Sequence, residues 1–99
     1  MTETFDSINR WQRETFPKAT IVGVLKHIDE EWDEFKNDWQ TITEKAEEAA
    51  DLIILLSCFL DHVTGSEESG AQIHVDLKMR RNRARDWNIQ ADGTGRHAT

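Results

Sequence analysis

Ile21-Val-Gly-Val-Leu25-Lys-His-Ile28-Asp-Glu-Glu-Trp32-Asp-Glu-Phe35-Lys-Asn-Asp-Trp39 repeats an apolar residue at steps of four and three along its whole length. Steps of that size return to one face of an α-helix, whereas a half-buried strand needs strict alternation. The stretch predicts a long amphipathic helix with Thr20 as its N-cap. Downstream, Leu52-Ile-Ile-Leu-Leu-Ser-Cys-Phe-Leu60 is apolar nearly all round, the pattern of a helix at the centre of a bundle. That helix is expected to open at Thr41 or Thr43, the second choice lacking the Glu of a capping box, and to stop at Gly65. Upstream, a first helix is expected from Ser7 to Thr15, capped by Asp6 or Ser7 and ended by Pro17. A fourth is expected from Ala71 to about Arg85. The predicted class is all-α, a small antiparallel helical bundle of about four helices. Residues 1–87 form its domain, and 88–99, without periodicity, read as an irregular tail.

A chain of 99 residues has room for one core. A domain of that size buries only about 60–65% of the surface its unfolded chain exposes. With 37% hydrophobic residues, the core is expected to be completed by oligomerisation. The net charge of −7 argues against a general binder of nucleic acid or of an anionic membrane. Charge is also uneven: residues 1–61 hold fourteen of the nineteen acids, and residues 78–85 hold five of the twelve bases. A non-enzymatic helical adaptor or regulatory protein, docking a basic partner on its acidic face, is one function such segregation suits. The single cysteine, Cys58, permits no intramolecular disulfide and reads as a packed thiol in an intracellular protein. The polar first twenty residues lack the apolar core of a secretory signal, and Leu52–Leu60 is far short of the ~20 residues of a membrane span. A soluble, cytoplasmic protein is expected.

The chemistry concentrates in two acidic pairs of equal spacing, Glu31-x-x-Glu34 and Glu48-x-x-Asp51. Residues three apart share a helix face. Glu31 and Glu34 fall beside Ile28 and Phe35, and the second pair leads into the row of Leu55 and Phe59. Antiparallel helices would bring the pairs level, and four ionised carboxylates beside an apolar wall call for cations. Hard oxygen ligands suit Mg²⁺, or Mn²⁺ in its place, and Mg²⁺ usually accompanies phosphate. A solvated acidic face explains Asp29, Glu30, Asp33, Glu44 and Glu47, and stays open as an alternative for the four. No Glu-x-x-His precedes His27, His62 or His74, against di-iron, and no Asp-rich loop suggests calcium. Lys78, Asn82 and Arg85 share one face of the fourth helix and suit phosphate oxygens, although a solvated basic face would look the same.

Five segments together carry a resemblance. They are Trp11-Gln-Arg-Glu-Thr-Phe16-Pro17, Gly23-Val-Leu-Lys-His27-Ile-Asp-Glu-Glu31-Trp-Asp-Glu34, Glu47-Glu48-Ala-Ala-Asp51-Leu-Ile-Ile-Leu55, Lys78-x-x-x-Asn82-x-x-Arg85-x-Trp87, and Asp92-Gly93 with His97. In order and over nearly the whole chain they resemble the all-α nucleoside triphosphate pyrophosphohydrolases of the MazG-like superfamily, most narrowly the small dATP/dGTP diphosphohydrolase (MazZ-like) branch of bacteria and phages. The resemblance implies cleavage of a purine deoxynucleoside triphosphate between the α and β phosphates. It implies two or more Mg²⁺ ions on Glu31, Glu34, Glu48 and Asp51, with Glu34 helping to activate water. It further implies phosphate contacts from Lys78, Asn82 and Arg85, and assembly as a homodimer or homotetramer. Trp11, at the Phe16-Pro17 corner, and His27, one turn before Glu31, are the candidates for a base pocket. Trp32 and Trp39, which continue the apolar stripe, are expected in the core.

Overall fold

Thr4 decides where the chain first becomes helical. Its side chain accepts from the Ser7 backbone N–H at 3.0 Å, while the Ser7 hydroxyl accepts from the Thr4 N–H at 2.8 Å. This reciprocal capping box starts helix α1 at Phe5, two residues before the expected Ser7, and α1 runs Phe5–Thr15. Residues 2–37 and 39–98 are described in this computed structural model. Met1, Asp38 and Thr99, and with them the outer limits of the two expected segments, lie outside the described residues.

Helix α2 spans Ile21–Phe35 and is capped by Thr20, whose hydroxyl accepts from Gly23 N–H. It stops four residues short of Trp39. Lys45 reaches back from the next helix and donates to the carbonyls of Phe35 (2.8 Å) and Asn37 (3.0 Å), satisfying acceptors that the helix end leaves open. The Asn37 side chain then takes the Trp39 N–H at 3.1 Å and turns the chain. Trp39 is thus 90% exposed, which corrects the expectation of a core residue. Trp32 is corrected in the same way: it is 45% exposed and stacks on Phe35, one turn along its own helix, at 5.6 Å.

Helix α3, Ile42–Val63, opens at the earlier of the two expected caps. Thr41 and Glu44 form the capping box that Thr43 lacks. It ends where Gly65 adopts φ +68° and Ser66 N–H returns to the Asp61 carbonyl. Helix α4 follows as Gly70–Ala84. Gly70 stands against the Thr64 side chain, with no room for a Cβ, so the α3–α4 corner is tight.

The molecule is a small four-helix protein in which α3 touches each of the other three helices. A short connection and the convergence of Glu31 with Glu48 make α2 and α3 antiparallel. Val24, Leu55, Cys58 and Ala71 form the buried apolar core, stitched to a polar layer of Asn9, Gln12, Ser57 and Asp61. Ser57 Oγ bonds Asn9 Oδ1 at 3.0 Å, and Gln12 Nε2 donates to the Ile54 carbonyl at 3.1 Å, which fixes α1 on α3. Much apolar surface stays uncovered, including Ile53, Leu56, Ile73 and Leu77 at about half exposure. The radius of gyration, 15.7 Å, exceeds the ~13 Å expected of a compact chain of this length. No described helix is long and apolar enough to cross a membrane.

The segment expected to be an irregular tail is partly ordered. Strands β1 (Trp87–Ile89) and β2 (Gly95–His97) pair antiparallel, with Trp87 opposite His97. Gly93 at φ +88° makes the turn, Asp92 Oδ1 accepts from Thr94 N–H and Oγ1, and the Trp87 ring lies over the bare Cα of Gly95.

Candidate functional site

The α2–α3 hairpin brings Glu31, Glu34 and Glu48 together, with one carboxylate oxygen from each lying within 4.8 Å of the others. Glu31 and Glu48 are half-buried, and Glu34 is exposed. His27 Nε2 lies 3.4 Å from Glu31 Oε1, one turn back on α2. The Oε2 atoms of Glu31 and Glu48 are shielded from solvent and have no hydrogen-bond partner. A buried, unpaired carboxylate oxygen is costly, which disfavours the ionised form of Glu48 beside Glu31. The Glu48 carboxyl is accordingly pushed up to about 7, first by the hydrogen bond it makes to Glu31 when protonated. Desolvation and the charges of Glu34, Glu31 and Asp51 add to this. The three carboxylates make a set of hard oxygen donors, the kind that Mg²⁺ or Mn²⁺ takes, and a divalent cation there would compete with the proton. Asp51, one turn further along α3, stands outside the tight trio. It borders the same cavity as Glu31, and its charge is felt at Glu48.

That cavity, of about 970 Å³, runs between the end of α1, α2 and α3. Glu31 and Asp51 lie at its acidic end, with His27 on the α2 wall. Trp11 and Phe16 form the outer wall as an edge-to-face pair, ring centroids 5.7 Å apart, and each is about half exposed. The floor is Val24, Leu55 and Cys58. Burial and the nearby Asp61 charge push the Cys58 thiol up, which keeps it protonated and inert. At the far end Asp61, 4% exposed, pairs through Oδ1 with Arg13 Nη1 at 3.3 Å, and the same nitrogen donates to the Ser66 carbonyl at 2.6 Å. A cavity walled by aromatic rings and closed by a carboxylate at each end suits a flat, hydrogen-bonding ring that carries a charged tail.

The expected phosphate contacts sit elsewhere. None of Lys78, Asn82 and Arg85 borders the cavity. They gather instead beside the hairpin, where Arg85 Nη1 lies within 3.0 Å of both ring nitrogens of His97. Trp87 Nε1 donates to the Asn82 carbonyl at 2.9 Å. Desolvation, then Arg85 and Lys78, lower the His97 pKa and favour a neutral ring. The Asn82 Oδ1 atom is shielded and unpartnered. Sequence reasoning found no role for His97, because its contact with Arg85 depends on a hairpin too short to show a period. It also passed over Arg13 and Asp61, forty-eight positions apart and joined only by the fold.

No family model, curated protein or solved structure matches this chain.

Proposed function

We propose that the protein is an Mg²⁺-dependent hydrolase of purine deoxynucleoside triphosphates, cleaving at the α–β bond to give the monophosphate and pyrophosphate. The observation that carries this is the convergence of Glu31, Glu34 and Glu48, two of them with orphaned oxygens, beside an aromatic-walled cavity that Glu31 borders. The order of acidic pairs and basic helix resembles the MazG-like superfamily, and that likeness supplies the bond cleaved.

Glu31, Glu34, Glu48 and Asp51 would hold two or more Mg²⁺ ions, or Mn²⁺. When bound, these ions supply charge neutralisation for the triphosphate and acidify a bound water. Glu34, the exposed member of the trio, would take the proton as the water oxygen attacks the α-phosphorus. The bond from that phosphorus to the α–β bridging oxygen then breaks, and pyrophosphate leaves with the electron pair. Trp11 and His27 border the space for the base. Lys78, Asn82 and Arg85 would grip the phosphates in a homodimer or homotetramer, delivered from a second copy, since within one copy they lie away from the cavity. The exposed apolar side chains support such assembly. A cytoplasmic place of action goes with these substrates.

The test is incubation with each deoxynucleoside triphosphate and Mg²⁺ or Mn²⁺, scoring pyrophosphate and orthophosphate separately. Pyrophosphate from dATP or dGTP, abolished by chelation, is the expected result. No turnover with any substrate would return the chain to the class of acidic adaptors, and orthophosphate would contradict the bond assignment.

A further inference from the structure

We propose that Asp61 is the acceptor through which the cavity selects guanine over adenine. The inference rests on the cavity being the base pocket of the proposed hydrolase, and it concerns a residue outside the acidic pairs. Asp61 lies on the cavity wall with its side chain only 6% exposed. Oδ1 is engaged by Arg13, whose guanidinium compensates the buried charge. Among the described residues, Oδ2 takes no donor. An ionised carboxylate accepts only, so its partner in the cavity must donate.

Length supports the placement. Asp51 and Asp61 both border the cavity, ten residues and therefore about 15 Å apart along α3. A nucleotide with its phosphates at the acidic trio and its base between Trp11, Phe16 and Leu55 would present the edge of that base to Asp61. Guanine offers a ring N–H and an adjacent exocyclic amino group on one edge, one to donate to the open Oδ2 and the other to the lone pair of Oδ1 that Arg13 leaves, as two charge-assisted bonds. Hypoxanthine keeps only the ring N–H. Adenine sets a ring lone pair beside its amino group and faces the carboxylate with repulsion. The Arg13 pairing fixes the carboxylate, so it cannot turn away from the wrong base.

The experiment measures binding of deoxyguanosine, deoxyinosine and deoxyadenosine to the metal-free full chain by calorimetry, beside pyrophosphate release from the three corresponding triphosphates. The wild-type protein should rank guanine above hypoxanthine above adenine, with at least about tenfold between the first and last. Asp61→Asn, matched in shape and checked for folding by circular dichroism, should bring the three within about threefold of one another. Adenine bound as well as guanine, no binding of any nucleoside, or an unchanged ranking in a folded Asp61→Asn protein would overturn the proposal. If the variant does not fold, the wild-type ranking alone decides. Selective nucleoside binding without pyrophosphate release would leave Asp61 as a guanine acceptor and remove the hydrolase assignment. Pyrophosphate release without base preference would do the reverse.

Discussion

Glu48 is the residue on which the proposed chemistry turns, because its environment raises the cost of its own charge. Its carboxyl titrates near 7 in the folded protein against an ordinary 4.5, so between those values the native state binds more protons than the unfolded chain. Stability of the metal-free protein should therefore be fully present below about 4.5 and fall as pH rises through about 7. Thermal melts in chelator across that window should show the fall, and Glu48→Gln should flatten it, since a neutral side chain relieves the repulsion at every pH. Adding Mg²⁺ at pH 8 should raise the melting temperature of the wild type and have little effect on the variant. Turnover by Glu48→Gln or Asp51→Asn should drop by about a hundredfold or more while the fold is kept. Full activity in both would contradict the assignment of these two carboxylates to a metal site. Asp51 is the more demanding of these tests, since it stands beside the trio rather than within it.

At the level of the elements, the helical periods were legible and the places where helices end were less so. The stripe from Ile21 to Phe35 and the apolar run Leu52–Leu60 are helical as their spacing predicts. The stripe's continuation to Trp39 failed because α2 ends at Phe35, where Lys45 of the next helix donates to the Phe35 and Asn37 carbonyls, a contact the apolar period does not show. Trp39→Ala should accordingly change stability by no more than about 0.5 kcal/mol, whereas a core tryptophan would cost several. Thr41→Ala removes a real capping box and should cost about 1 kcal/mol in a denaturant titration. Ser57→Ala, which strands the buried Asn9 oxygen, should cost about 1–3 kcal/mol. The convergence of Glu31, Glu34 and Glu48 could be anticipated from helical phase because each pair lies on one helix, whereas Asp51 stands outside the trio. The Arg13–Asp61 pair and the His97 contact join segments far apart in sequence, and only the folded chain reveals them.

For the whole molecule, the balance of a thin core against a broad apolar exterior is the dominant fact. Among the described residues, four buried apolar ones serve a protein whose Ile53, Leu56, Ile73 and Leu77 remain about half exposed. Soluble monomers seldom leave such a surface bare. Sedimentation should find a homodimer or homotetramer, and Leu77→Glu should shift it toward monomer. Lys78→Ala should raise KM several-fold with little change in kcat, while an unchanged KM would count against phosphate contact by the basic end of α4. The separation of that basic cluster from the acidic cavity within one copy makes the two measurements complementary. A dimer-breaking variant that also loses substrate affinity would tie assembly to the site. Water attack on the α-phosphorus at the proposed Glu31–Glu34–Glu48 centre can be followed by turnover of dGTP in H₂¹⁸O with Mg²⁺ and mass analysis of the products. One ¹⁸O atom in dGMP and none in pyrophosphate is the predicted result. Label in the pyrophosphate, or no conversion of dGTP, would contradict it.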